Sequence, residues 1–205
     1  MSQFERILNG ALDLFLTAGI KSVTMDDIAR HLGMSKKTIY QHFADKNELV
    51  TALVKMRMQQ DETEMDKMMN EADNVIAQLS EWMRCSEEML SRMNPILMHD
   101  LQKYHPEGWA IIQKFKWESI VQRLEELMLK GIEEGYIRPE IDVRVIARMR
   151  ILQVESGFNQ QNFPAPQFNV VKVQQQFVEH FNYGIVTLEG YQLLNEYQNK
   201  LKKTA

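Results

Sequence analysis

TMDDIARHLGMSKKTIYQHF, residues 24–43, reads as two short helices joined by a tight turn. Thr24 is placed to cap the first helix and Asp27 stands three positions on, the spacing at which two side chains satisfy each other's orphan backbone N–H groups. Val23 and Ile28 fall at the spacing of a hydrophobic staple across that cap. Ile28 and Leu32 share one face, and Ala29 is small where a second helix must cross closely. Gly33 can take the left-handed conformation that closes a helix, and Ser35 is a fresh N-cap for a second helix carrying Ile39 and Phe43. The stretch is a helix-turn-helix.

Its charges point to an anionic partner. Lys36 and Lys37 fall in the first turn of the second helix, where the backbone dipole is already positive, at a cost of roughly a few tenths of a kcal/mol each. Helix starts at Thr24, Ser35 and Asp45, the last followed by Lys46, add anion-seeking N–H groups within a short span. Phosphate fits that arrangement.

Working outward, residues 3–18 place Phe4, Ile7, Leu8, Ala11, Leu12 and Phe15 on one stripe that ends at Gly19, a support helix for the motif. Three helices of this size bury too little surface to be comfortable alone. A fourth, starting at Asp45 with Glu48 three residues later and running through Leu49, Leu53 and Met56 towards Met69, supplies cover and extends into the rest of the chain.

Thr24, Ala29, Gly33, Ser35 and the run TIYQHFADKNEL together resemble the DNA-binding module of the tetracycline-repressor (TetR) family of bacterial transcription regulators, over about the first quarter of the chain. The resemblance implies an all-α protein: a three-helix DNA-binding domain over residues 1–46, joined by a shared helix to a larger ligand-binding and dimerisation domain over 47–205. It implies that Thr24, Thr38, Tyr40, His42 and Lys46 hold the DNA backbone. A second helix lying in the major groove makes Lys36 and Lys37 candidate base readers, with phosphate as the fallback, and Gln41 suits either role. Ser35 belongs to the same surface as its cap.

Composition agrees with a local DNA-binding surface and excludes a polycation coat. Residues 1–50 carry six basic and six acidic side chains, so the formal net charge of −4 lies entirely in the remainder. The single cysteine, Cys85, permits no intrachain disulfide and fits a reducing compartment. No segment approaches the roughly 18 apolar residues that span a bilayer. The expectation is a cytoplasmic protein with no membrane contact.

Beyond the shared helix the pattern stays helical. Breaks fall at Asn94-Pro95 and at His105-Pro106, and a long helix follows from Trp109 to Gly131 or Gly135. Asp142 caps the next helix, over 142–158; another runs over 168–185 after a loop containing Pro164 and Pro166, and a last one starts after Gly190. The helices over 142–158 and 168–185 are more apolar than one covered face requires, which marks them as a homodimer surface forming a four-helix bundle.

Nine of the fourteen methionines fall between Met56 and Met98. Flexible thioethers and aromatic walls suit a pocket for an apolar or aromatic small-molecule effector, with Trp82, Met89, Met93, Tyr104, Trp109 and Phe115 as candidate lining. Ordinary core packing uses the same residue types. His99, Asp100 and His105 match no recurring metal-ligand spacing and lack a fourth group, so neither a metal nor another cofactor is expected. No nucleophile elbow, phosphate-cradling glycine loop or His-Glu-x-x-His is present, and no catalytic residue is assigned. The expected function is ligand-responsive transcription regulation, most simply repression, by a homodimer on a near-palindromic double-stranded operator. The rival is a helical small-molecule-binding or protein-interaction dimer without DNA binding.

Overall fold

The computed structural model describes residues 2–92 and 95–204, with side chains described for 2–86 and 96–199. Its described residues form eleven α-helices and one π-helical segment, with a single isolated bridge between Ile137 and Val186 in place of any sheet. The fold is all-α, with an N-terminal helix-turn-helix followed by a larger helical part.

Local chemistry sets the first four helices. α1 (Gln3–Ala18) starts at a reciprocal box in which Ser2 Oγ accepts the Glu5 N–H at 3.2 Å and Glu5 Oε2 accepts the Ser2 N–H at 2.7 Å. α2 (Met25–Leu32) and α3 (Lys36–Tyr40) carry the expected caps, Thr24 and Ser35. α4 (Lys46–Glu71) begins where Asp45 Oδ1 accepts the Glu48 N–H at 2.9 Å. Glu48 reaches back one residue further than expected, to the Ala44 N–H at 2.6 Å.

The chain forms two compact units, one of Met1–Thr63 with Met93–Lys116 and one of Glu64–Arg92 with Trp117–Ala205. The first is therefore larger than the expected 1–46 domain. Its core of Ile7, Leu8, Phe15, Ile28, Ile39 and Phe43 is closed not only by Leu49, Val50 and Leu53 of α4 but also by residues far along the sequence. Leu101 of α6 (Pro95–Tyr104) is buried in it, and Trp109, Ile111 and Ile112 of α7 (Pro106–Lys114) pack against it. Each fully buried large side chain contributes roughly 1.5–3 kcal/mol, so α6 and α7 complete a core that three helices leave too small. Phe4 departs from the expected stripe: it is 41 % exposed, its ring stacked on Phe43 at 5.0 Å.

The second unit takes the end of α4, α5 (Val75–Arg92), the π-helical turns beyond Lys116 within Phe115–Ile120, α8 (Val121–Glu133), α9 (Val143–Phe158), α10 (Val170–Ile185) and α11 (Leu188–Thr204). Leu79, Trp82, Met83, Leu124, Met128, Ile151 and Phe181 are central to its core. Asp142 caps α9 as expected, accepting the N–H groups of Arg144 and Val145 at 3.0 and 3.2 Å. α5 begins two residues later than Asp73, because Asn74 Oδ1 supplies the bond to the Ala77 N–H. α11 begins before Gly190 rather than after it, because Thr187 Oγ1 accepts the Gly190 N–H at 3.1 Å.

Candidate nucleic-acid interface

The turn between α2 and α3 is fixed by Gly33, at φ 63° and ψ 31°, whose N–H bonds back to the carbonyls of Ala29 and Arg30. A side chain at that φ is strained, so glycine sets the angle at which α3 leaves α2. Ile39 and Phe43 go inward while Lys36, Lys37, Tyr40 and Gln41 are exposed. Tyr40 is 49 % exposed.

The caps are engaged in different ways. Thr24 Oγ1 accepts the Asp27 N–H at 3.2 Å and donates to Asp27 Oδ2 at 2.6 Å, and this last bond, with the Thr24 N–H donating to the same oxygen at 3.0 Å, holds the Asp27 carboxyl below the usual aspartate range. A phosphate at Thr24 would take a hydrogen already given to Asp27. Ser35 Oγ accepts the Thr38 N–H at 3.1 Å and lies 2.8 Å from Thr38 Oγ1, so the two hydroxyls keep one proton for an outside acceptor.

Lys36 is ion-paired with Asp26 of α2, and both side chains are substantially exposed. Such a pair is worth roughly 0–1 kcal/mol, so exchanging it for a phosphate or a base edge costs little. Lys37 has no carboxylate within ion-pair distance among the described residues. His42 is held from α1, with Nε2 3.2 Å from Gln3 Oε1 and its ring at the edge of Phe4. Lys46 is half-buried and donates to the Lys21 carbonyl at 3.4 Å. Burial lowers its pKa, against the opposing charges of Asp100 and Asp27.

Two buried groups at the junction of α6 and α7 stand beside this surface. Asp100, 5 % exposed, accepts the Lys21 N–H at 2.8 Å. His105, 6 % exposed, has an Nδ1 without a hydrogen-bond partner. Burial, then the charge of Lys46, lowers its pKa against the pull of Asp100 and Asp45. The imidazole is therefore held neutral in the folded protein while the unfolded chain takes up a proton near the ordinary value. His105 contributes stability that is complete above about pH 6.5 and is lost as pH falls below it towards the depressed folded value. Urea unfolding at about pH 7.5 and pH 5.5 is expected to show a smaller acid loss for His105→Leu than for the unsubstituted protein; equal losses would remove His105 as the cause.

The predicted effector residues do not share a unit. Trp82 is buried in the core of the second unit, whereas Tyr104, Trp109 and Phe115 belong to the first. Met93 and the side chain of Met89 lie outside the described residues. An open depression of about 570 Å³ beside α1 and α4 is lined by Phe4, Asn9, Lys55 and Met56 among others, and one of about 430 Å³ by Gln176, Glu179, His180, Tyr183 and Gly184. Neither contains a predicted effector residue. Tyr104 instead has two ammonium groups near its ring, those of Lys21 and Lys103.

Of the two expected dimer helices, α9 shows the apolar surface. Val145, Met149 and Leu152 recur at i, i+4 and i+7 and are exposed, while the exposed side of α10 is polar, with Gln175, Gln176, Glu179 and His180. Sequence reasoning gave Lys21 and Lys103 no role and weighed Asp100 only as a metal ligand. A signal existed for Lys21 alone, a lysine in the turn before the Thr24 cap; the other two are close to it only in three dimensions. Among the described residues no helix is long and apolar enough to cross a membrane, and no acidic, histidine or cysteine group is arranged to hold a metal ion.

Comparison with known proteins gives a consistent family. Residues 7–53 match the model for bacterial regulatory proteins of the tetR family. The chain is 30 % identical over 126 residues to the HTH-type transcriptional regulator YvaF of Bacillus subtilis, covering 60 % of this chain and 66 % of that protein. It is 24 % identical over 154 residues to the HTH-type transcriptional repressor KstR2 of Mycobacterium tuberculosis, covering 72 % of this chain and 75 % of that one. A TetR-family regulator from Agrobacterium tumefaciens shares the fold with a TM-score of 0.73 at 17 % identity, over 90 % of this chain and 97 % of its own.

Proposed function

We propose that this chain, which belongs to the TetR family of bacterial transcription regulators, is a homodimeric repressor that releases a near-palindromic operator when a small apolar or aromatic effector binds its second unit. The observation that carries the DNA-binding part is the outward face of α3. Lys36, Lys37 and Tyr40, with Gln41 at the C-cap, stand in solvent on a helix whose inward residue Ile39 is at 0 % exposure, with Phe43 just past its end at 1 %. Thr38, His42, Lys46 and the Ser35 cap supply hydroxyl, imidazole and ammonium donors around it, suited to backbone phosphates. Similarity to a protein named as a repressor supports repression over activation.

The exposed stripe of α9 supports pairing of two copies, and a near-palindromic operator requires two recognition helices in successive major grooves. In the second unit Trp82, Met83 and Met128 are buried, with Met65, Met68, Met69 and Trp117 packed around them, a polarizable environment for an apolar effector. Effector contacts that differ by about 1–3 kcal/mol between two arrangements of the dimer would change operator affinity some 5- to 150-fold. α4, with residues in both units, is the proposed transmitter.

Selection of duplexes from a random library tests the reading. Lys37→Ala is expected to relax preference at particular base pairs by about 1–3 kcal/mol. Lys46→Ala is expected to weaken all duplexes alike and to flatten the log–log salt dependence by about 0.9 for each phosphate left without its cation. An unchanged preference in Lys37→Ala would withdraw its role as a base reader.

A further inference from the structure

The end of α6 carries a cluster that the helix-turn-helix does not account for. Lys21 Nζ lies 5.2 Å and Lys103 Nζ 5.5 Å from the centroid of the Tyr104 ring. Lys21 comes from the turn between α1 and α2, Lys103 and Tyr104 from the last residues of α6, and all three belong to the first compact unit. Both lysines are exposed, and neither forms an ion pair with a carboxylate among the described residues.

The cluster is built rather than incidental. Asp100, buried one turn back on α6, accepts the Lys21 N–H at 2.8 Å, and the Lys21 carbonyl accepts Lys46 Nζ at 3.4 Å, so both ends of that residue are held. Gly19, at φ 79°, lets the turn come this close: a Cβ there would lie 3.1 Å from Asp100 Oδ2 and 2.9 Å from Ile96 Cγ2. Stability explains part of the arrangement, since Lys103 in the last turn suits the helix dipole. It does not explain a second ammonium brought to the same ring from another element. Lys21, then Lys103, lowers the pKa of the Tyr104 hydroxyl, which makes it a stronger donor to an anion. Lys46 adjoins the cluster through Lys21, and the Thr24 cap follows Lys21 by three residues, so the cluster neighbours two residues of the proposed DNA-binding surface.

We propose that Lys21, Lys103 and Tyr104 form a second phosphate site of the DNA-binding head, taking a backbone phosphate of the duplex beyond those reached from α3 and the start of α4. The site rests on the DNA-binding reading above and enlarges it: α6 becomes part of the DNA surface, and Tyr104 is a phosphate donor rather than an effector wall.

The test uses the full chain and a duplex recovered by selection. Phosphate-ethylation interference with the unsubstituted protein is expected to show sensitive phosphates that vanish with K21A/K103A. The salt slope should flatten by about 0.9 for each phosphate that the lysines no longer neutralise, with the selected sequence unchanged, and K21R/K103R should restore both. Y104F, which keeps the ring, should weaken binding less than K21A/K103A. An interference pattern and slope in K21A/K103A identical to those of the unsubstituted protein would overturn the site while leaving DNA binding intact. Failure of the unsubstituted protein to select any duplex would overturn the DNA-binding reading itself.

Discussion

Aspartate at both Val145 and Leu152 is expected to convert a dimer into a folded monomer and to lower operator affinity by roughly 10²–10⁴-fold. The two side chains are 58 % and 55 % exposed in a single chain, with Met149 between them, so charges there cost the monomer's core almost nothing. Two charged groups buried without partners at the centre of a symmetric interface cost far more, and each residue appears twice across the two-fold axis. In the proposed complex, losing the dimer would remove the second recognition helix from the adjacent major groove, about 34–36 Å away. The first binding event then no longer raises the local concentration of the second. Light scattering and a gel shift on whole and half operators check this: mass should halve, and binding to the half operator should be unaffected. A V145D/L152D protein that remains dimeric would place the interface elsewhere than α9.

Phe43→Ala is expected to cost about 3–5 kcal/mol of stability, a large share of the roughly 5–15 kcal/mol typical of a whole domain. The ring is 1 % exposed, is stacked on Phe4, and sits just past the end of α3, where its N–H donates to the Ile39 carbonyl at 3.1 Å. Its removal leaves a cavity under the recognition helix that neighbouring side chains fill only in part. DNA binding should fall with it although the Phe43 ring is buried away from the surface. Urea unfolding followed by far-UV circular dichroism measures the loss. Phe4→Ala, at a half-exposed position on the same stack, should cost clearly less, and equal costs would mean that burial is not what the ring contributes.

The readable parts of the molecule are those written in short-range chemistry. Thr24 with Asp27, Gly33, Ser35 and Asp142 act within a few residues of themselves, so the sequence alone locates the helix ends they make. Helical periodicity places Ile28, Ile39 and Phe43 inside because a helix presents one apolar face whatever covers it. What covers it is not readable. Leu101 closes the head's core from a distant helix, and periodicity gives a face but never its partner.

The same limit governs the site. Tyr40 and Lys37 are exposed as a recognition surface requires, yet the Lys36–Asp26 pair, the His42–Gln3 contact and the Asp100–Lys21 bond join elements that no spacing rule connects. On sequence alone Tyr104 is an effector wall, because an aromatic among methionines suits a pocket. Lys103 precedes it in the chain, but Lys21 joins the ring only when α6 and the turn after α1 come together.

The most direct test of the account is an equilibrium titration of the full-length protein with a duplex recovered by selection, measured by fluorescence anisotropy with and without excess unrelated DNA. The account predicts affinity for the selected duplex at least about 10³-fold above that for unrelated sequence, falling steeply with salt. Equal affinity for the two, or no binding to either, would contradict the assignment of the α2–α3 surface to DNA.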